Sequence, residues 1–433
     1  MNDRLDTLGD SPGPFAAFQF REFRLYWTSL FISNIGSWMQ ITATSWLLYD
    51  LTGSAFQLGL NGVFRAIPTI GLSVFGGTVA DRYDRRRLIL FSQIALMLLA
   101  FLLGFLAQTG IVQAWHIYVL TSLNSVVGTL DGPARQALLP SLVPRWALPN
   151  AIAFNSILWK GTVLVGPALA GVAIATVGTD GAFYANGLSF LAVIGAVLMM
   201  KIPLNPPRQQ RAFAKDFHEG LAYVFSHKII VGVMGMEAAS SVFGLDQAML
   251  TIFARDVLQV GASGLGFLQS ARGLGGVLGS GLLIFVGQHR AQGTILLASA
   301  LLYSAAFAWF GISYSFPLSL TLLLIVGATD TIWGATRNTI LQVTTAESMR
   351  GRVMGIFQLS SRGLNPLGQT ETGLVVPLIG AREATFVGGL IVGFVTIATI
   401  WRIPALHRFR WVEMRPEILR RMGRPGGAED FRK

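Results

Sequence analysis

Mainly apolar blocks of helix-spanning length recur twelve times along the sequence, at about 26–49, 58–80, 88–108, 115–134, 151–177, 183–200, 229–253, 264–286, 294–312, 318–334, 353–379 and 385–401. A helix needs roughly 20 such residues to cross a bilayer. Lipid offers no hydrogen-bond partners, so a crossing segment is either a helix or a strand of a closed barrel. Barrel strands would alternate apolar and polar residues over short stretches, and these blocks do not. The expected fold is therefore an all-α integral membrane protein with twelve transmembrane helices. Composition agrees: the chain is 52% hydrophobic and only 13% charged, against about a quarter charged in soluble domains. A soluble enzyme of ordinary make-up is excluded.

The net charge of +11 would fit nucleic acid if it lay on one surface, but it falls in alternate loops between blocks. Arg4, Arg21 and Arg24 precede the first block, Arg82 and Arg85 to Arg87 follow the second, and Arg135 and Arg145 follow the fourth. Lys201, Arg208, Arg211, Lys215 and Lys228 lie in the central loop, and a basic run extends from Arg402. On the opposite side stand only Arg255 and Arg382. Cytoplasmic loops hold the excess of Lys and Arg, so both termini are expected in the cytoplasm, in a multi-pass protein of the cytoplasmic (inner) membrane. Asp3, Asp6 and Asp10 replace the basic start of a signal peptide. With no Cys and five His, neither a metal nor a cofactor is expected, and no nucleotide-binding glycine loop is present.

Five segments are read: a cytoplasmic tail 1–25, a six-helix bundle 26–200, a linker 201–228, a second bundle 229–401 and a basic tail 402–433 suited to anionic lipid. Phe213, Phe217, Leu221 and Val224 recur at helical spacing in the linker, as in an amphipathic helix on the membrane surface. The halves repeat. Leu58, Gly59 and Arg65 match Leu265, Gly266 and Arg272 at an offset of 207, and Arg135, Gly166 and Gly171 match Arg337, Gly368 and Gly373 at an offset of 202. Repeated halves mark secondary transporters, whose binding site lies between the repeats.

After the second block stand Gly77, Asp81, Arg82, Arg85 and Arg86, spaced as G-x-x-x-D-R-x-x-R-R. This resembles the signature of the major facilitator superfamily. Gly166, Pro167 and Gly171 resemble the glycine–proline motif of its antiporters, with Ala170 in place of one glycine. The strings at 46–54, 131–136, 186–190, 337–342 and 350–354 are similar to the enterobactin-exporter-like and multidrug-exporter branch. The resemblance implies two six-helix bundles that rock about a central cavity and proton-driven export of a small organic molecule by a monomer. It implies cavity walls from spans one, four, seven and ten, with spans three, six, nine and twelve facing lipid. It also implies a gate in which Asp81 faces the start of span eleven near Arg352.

Ionisable groups inside the spans are costly and call for a role. Glu237 and Asp330 lie deep enough to serve as proton carriers, with Asp246 as a third candidate. Asp246 is nine positions from Glu237, so both face the cavity only if Gly244 permits a bend. Asn34, Trp38, Gln40, Glu237, Trp333, Arg65 and Arg272 are the expected cavity residues. Arg65 and Arg272 are expected to pair with Asp246 and Glu371 rather than to hold an anion. Asp131, Arg135, Arg337 and Arg352 are expected in gating or fold-holding ion pairs. The alternatives are a facilitator or importer of the same fold, such as a lysophospholipid or metabolite carrier, and a membrane enzyme or scaffold without transport.

Overall fold

The computed structural model describes residues 13–82, 84–200, 213–286, 291–407 and 409. Of the expected segments, 1–12, the linker part 201–212 and the basic tail 410–433 lie outside it, as do the side chains of 73–82, which include Gly77, Asp81 and Arg82, and that of Arg362. Among the described residues the regular structure is helical throughout, with no strand.

In the first half α1 (Arg21–Thr52), α2 (Ala55–Arg82), α3 (Arg85–Gln108) and α4 (Ala114–Leu138) are followed by α5 (Leu148–Met199). That last run holds two expected spans, joined at a corner at Gly178, where φ is +81°. Side chains rarely adopt such a φ, and glycine does so without a Cβ clash. The short α6 (Phe213–Ser226) carries the spacing read as an amphipathic linker helix. Next come α7 (Lys228–Phe243), α8 (Gln247–Ile252), α9 (Gly261–Val286), α10 (Gln292–Ile312), α11 (Phe316–Thr344), α12 (Glu347–Ile379) and α13 (Ala381–Arg402).

Two expectations change here. Span seven is not continuous: α7 stops at Phe243, and α8 restarts after Asp246, which caps it by accepting from the Met249 N–H at 2.8 Å. Helices also overrun the apolar blocks, so Arg337, which follows the tenth block, lies inside α11. Among the described residues six runs can cross a membrane by length and composition: Arg85–Gln108, Arg145–Met199, Lys228–Val257, Gln292–Ile312, Phe316–Thr344 and Ala381–Arg402. Of the other long helices, α2, α4, α9 and α12 carry Arg65, Asp131, Arg272 and Glu371, and α1 carries polar residues instead. Hydropathy alone therefore does not carry the full count of twelve.

Large apolar side chains remain exposed on α3 (Phe91, Leu98), the end of α5 (Leu188, Leu198), α10 (Leu302, Trp309) and α13 (Phe394, Trp401). Such a belt suits hydrocarbon rather than water. The halves meet through glycines. A Cβ added to Gly59 on α2 would lie 2.6 Å from the Cα of Gly373 on α12, and one added to Gly171 on α5 would lie 3.1 Å from the Cα of Gly266 on α9. Gly59 and Gly266 differ by 207 in number, Gly171 and Gly373 by 202, so the two contacts are copies related by the internal repeat. Small residues let helix backbones touch where lipid gives no hydrophobic push.

Candidate functional site

A cavity of about 320 Å³ lies between the halves. Trp38 of α1, Arg65 of α2 and Lys160 and Pro167 of α5 line one side. Asp246 and Gln247 at the break, Gln269 and Arg272 of α9, Asp330 and Thr331 of α11 and Gln369 of α12 line the other. Spans one, seven and ten line it, as the resemblance implied, together with spans two, five, eight and eleven, while no α4 residue is in this lining.

The break in span seven builds one wall. At Gly244 a Cβ would meet the Ser240 carbonyl oxygen at 2.2 Å and the Tyr303 hydroxyl at 2.8 Å, so the chain can turn there only with glycine. The turn swings Asp246 into the lining and leaves Glu237 behind on α7. Both Asp246 oxygens are engaged, one by the Met249 N–H and the other by the Thr372 hydroxyl at 2.5 Å.

Arg272 pairs with Asp330 at 3.6 Å and donates to the Leu245 carbonyl at 3.3 Å. Neither Asp246 nor Glu371 is its direct partner. The Asp330 contact is longer than the 2.7–2.9 Å typical of a charge-assisted hydrogen bond, and its side chain is 45% exposed. Lys160 reaches across from the other half and donates to the Thr331 hydroxyl at 3.0 Å. For the guanidinium of Arg65, no ion pair or hydrogen bond occurs among the described residues.

Glu237, by contrast, is 7% exposed, joined to Arg337 and absent from the cavity lining. Arg337 also stacks over Phe357 at 4.7 Å. Trp333 is 1% exposed and packs edge-on against Tyr303, also away from the cavity. Gln40 is occupied by the Asn186 amide, and Asn34 donates to the Leu30 carbonyl at 2.9 Å within its own helix. Asp131 holds Arg135 at 2.5 Å and accepts from Gln93 at 3.3 Å. The repeat-related arginines Arg135 and Arg337 are thus each held by a buried carboxylate, but from different places. Trp333 occupies the position that matches Asp131, and Glu237 on α7 supplies the acid instead.

Residues 12–415 match the family model described as "Transmembrane secretion effector". The chain belongs to that family of the major facilitator superfamily. It is 25% identical over 398 residues to the enterobactin exporter EntS of Escherichia coli O139:H28, covering 90% of this chain and 93% of that one. It is 21% identical over 369 residues to the staphyloferrin A transporter of Staphylococcus aureus, covering 82% and 90%. Among solved structures, a POT family transporter in complex with a thioalcohol-conjugated peptide superposes with a TM-score of 0.72 at 12% identity, covering 89% of this chain and 96% of that one. The protein is a membrane-embedded, multi-pass transporter of small molecules and not an enzyme.

In this superfamily member the signature arginines serve helix ends. Arg85 donates to the Ala137 carbonyl at 3.2 Å and Arg86 to the Leu198 carbonyl at 2.9 Å, both at C-termini, where cations are favoured. Arg352 of α12 bonds Glu219 of α6 at 2.7 Å. Gly166 lies against Trp38, whose Cβ is 2.5 Å from where a Gly166 Cβ would be, and Pro167 lines the cavity.

A second cluster was missed in the sequence. At the end of the molecule remote from the linker, Arg255 pairs with Asp50 at 2.9 Å, and the Tyr49 hydroxyl donates to Asp256. The Arg255 guanidinium also lies 5.9 Å from the Trp46 ring centre and 5.5 Å from that of Tyr49. This clasp joins α1 of the first half to the π-helical turn Phe253–Val257 after α8 in the second. Its signal was Arg255 itself, one of two cations on the sparsely charged side and opposite an acid at the end of span one.

Proposed function

We propose that this transporter exports a small organic molecule across the cytoplasmic membrane in exchange for inbound protons, with Asp330 as the proton carrier. The relatives named for enterobactin and staphyloferrin A support a siderophore-like cargo, and the one named as an exporter supports outward movement. Support for Asp330 comes from one observation. It is the carboxylate in the cavity lining that is loosely held, 3.6 Å from Arg272, while Asp246 has both oxygens engaged. A carboxylate held this way can exchange a proton, or accept a donor from cargo, without dismantling the fold.

The cycle follows from mutual exclusion. Cargo occupies the cavity while Asp330 is ionised. A proton arriving from the far side takes its place, and the halves rock between the two accessibilities. The clasp at Asp50 and Arg255 closes the outer end. Both termini and the linker lie in the cytoplasm, and one chain suffices.

Inside-out vesicles test this reading. An imposed interior-acid gradient is expected to drive cargo into them, with cargo identified by the compounds to which a deletion strain becomes sensitive. Uptake is expected to vanish in Asp330→Asn. If no gradient ever drives uptake, proton-coupled export is wrong.

A further inference from the structure

We infer that the cavity is built for an organic acid, whose anionic group docks on Arg65. This rests on the cavity being the cargo site of the transporter. Three cationic side chains line it, Arg65, Lys160 and Arg272, against two carboxylates, Asp246 and Asp330. Their commitments are unequal. Arg272 has Asp330 and the Leu245 carbonyl. Lys160 hydrogen-bonds the neutral Thr331 hydroxyl and shares Asp330 with Arg272 only through electrostatic attraction. Arg65 has no acceptor among the described residues, although it stands inside the apolar part of the molecule, where an isolated charge is expensive.

Hydrogen-bonding capacity is skewed the same way. Gln247 and Gln269, both in the lining, each carry a side-chain amide nitrogen without an acceptor among the described residues. Asp246 is used up as a helix cap. The site therefore has donors to spare and one loosely held acceptor. A ligand that completes it brings a planar anionic group for the guanidinium fork, which pairs in bidentate fashion with carboxylates. It also carries a hydroxyl or amine for Asp330. This division keeps exchange with protons coherent. The proton competes with the donor end of the ligand at Asp330, while the acidic end is held at Arg65, on the other half.

Repeat symmetry sharpens the point. Arg65 and Arg272 are copies at an offset of 207. Arg272 acquired an acid from α11, whereas the span that corresponds to α11 in the first half is α4, and no α4 residue reaches the lining. The second-half arginine is thus internally satisfied and the first-half one is left for cargo.

Binding to the purified full-length protein in nanodiscs of neutral lipid tests the inference, with salicylate, citrate, methyl salicylate and tetraphenylphosphonium as probes. At least one of the two acids is expected to bind, with methyl salicylate and the phosphonium weaker by tenfold or more. Arg65→Gln should weaken acid binding at least tenfold, and Arg65→Lys should recover most of that loss. The wild-type preference for acid over ester and phosphonium needs no variant, so it stands as a test even if Arg65→Gln folds poorly. The inference is overturned if the phosphonium binds and neither acid does, or if folded Arg65→Gln binds acid like the wild type. If acids bind but no proton gradient moves them, the exporter reading fails while this one stands. If the phosphonium is bound and exported, the reverse holds.

Discussion

Two acids that look alike in the sequence have opposite circumstances. Glu237 and Arg337 are sealed together, with side chains 10% and 12% exposed, whereas Asp330 and Arg272 face the cavity at 45% and 33%. Removing one partner of a buried pair strands the other charge, at a cost on the order of 3 kcal/mol. Glu237→Gln should therefore lower the thermal unfolding temperature markedly, measured on purified protein in detergent. Asp330→Asn should change stability by no more than about 1 kcal/mol, since accessible pairs contribute little, yet it should abolish gradient-driven transport. A result in which Glu237→Gln is stable and uncoupled would exchange the two roles. Both residues were recognisable in the sequence as intramembrane acids. Which one meets the cavity was not, because a side chain's facing depends on which helix packs beside it.

At the scale of the element, the break in span seven decides the site. Gly244 is where the sequence permits a bend that brings Asp246 round, yet apolar periodicity continues on both sides of it and gives no stop. The tertiary contact is what fixes the turn: the hydroxyl oxygen of Tyr303 on α10 accepts from the Leu245 N–H at 3.2 Å, which satisfies a backbone group freed by the break. Unsatisfied backbone groups are the main penalty of a broken helix in lipid. Gly244→Val should fold poorly, by at least about 2 kcal/mol from overpacking, with loss of probe binding at the cavity in whatever protein folds. The glycine contacts are more regular. Gly59→Leu or Gly373→Leu would push α2 from α12, and Gly171→Leu or Gly266→Leu would push α5 from α9. Each is expected to lower the unfolding temperature, and repeat-related changes should lower it by similar amounts.

For the whole molecule, the clasp at Asp50, Arg255, Tyr49 and Asp256 has the strength a reversible closure needs. Its ion pair is partly exposed, 57% at Asp50 and 34% at Arg255, and such a pair contributes roughly 1 kcal/mol or less. The absence of native Cys makes this measurable. In a Gln247→Cys background, adding Asp50→Asn and Arg255→Gln should raise labelling by an impermeant maleimide applied outside the cell several-fold. Unchanged labelling would mean that the clasp does not hold the outer end shut. A cysteine at Gln209→Cys, in the linker, should react only after the membrane is permeabilised, as the positive-inside orientation requires.

The sequence by itself determined that the chain is helical, membrane-embedded, doubled and a member of its superfamily. Those properties follow from local quantities: hydropathy over a helix length, the side on which Lys and Arg accumulate, and spacing that repeats at a fixed offset. Folding in three dimensions decided which charges neutralise each other and which face the cavity. Arg65 and Arg272 are equivalent in the repeat, and only the packing of α11 against α9 gives Asp330 to one and leaves the other without an acid among the described residues. Ion pairing acts over a few ångströms between residues far apart in the chain, so no reading along the chain could have assigned it.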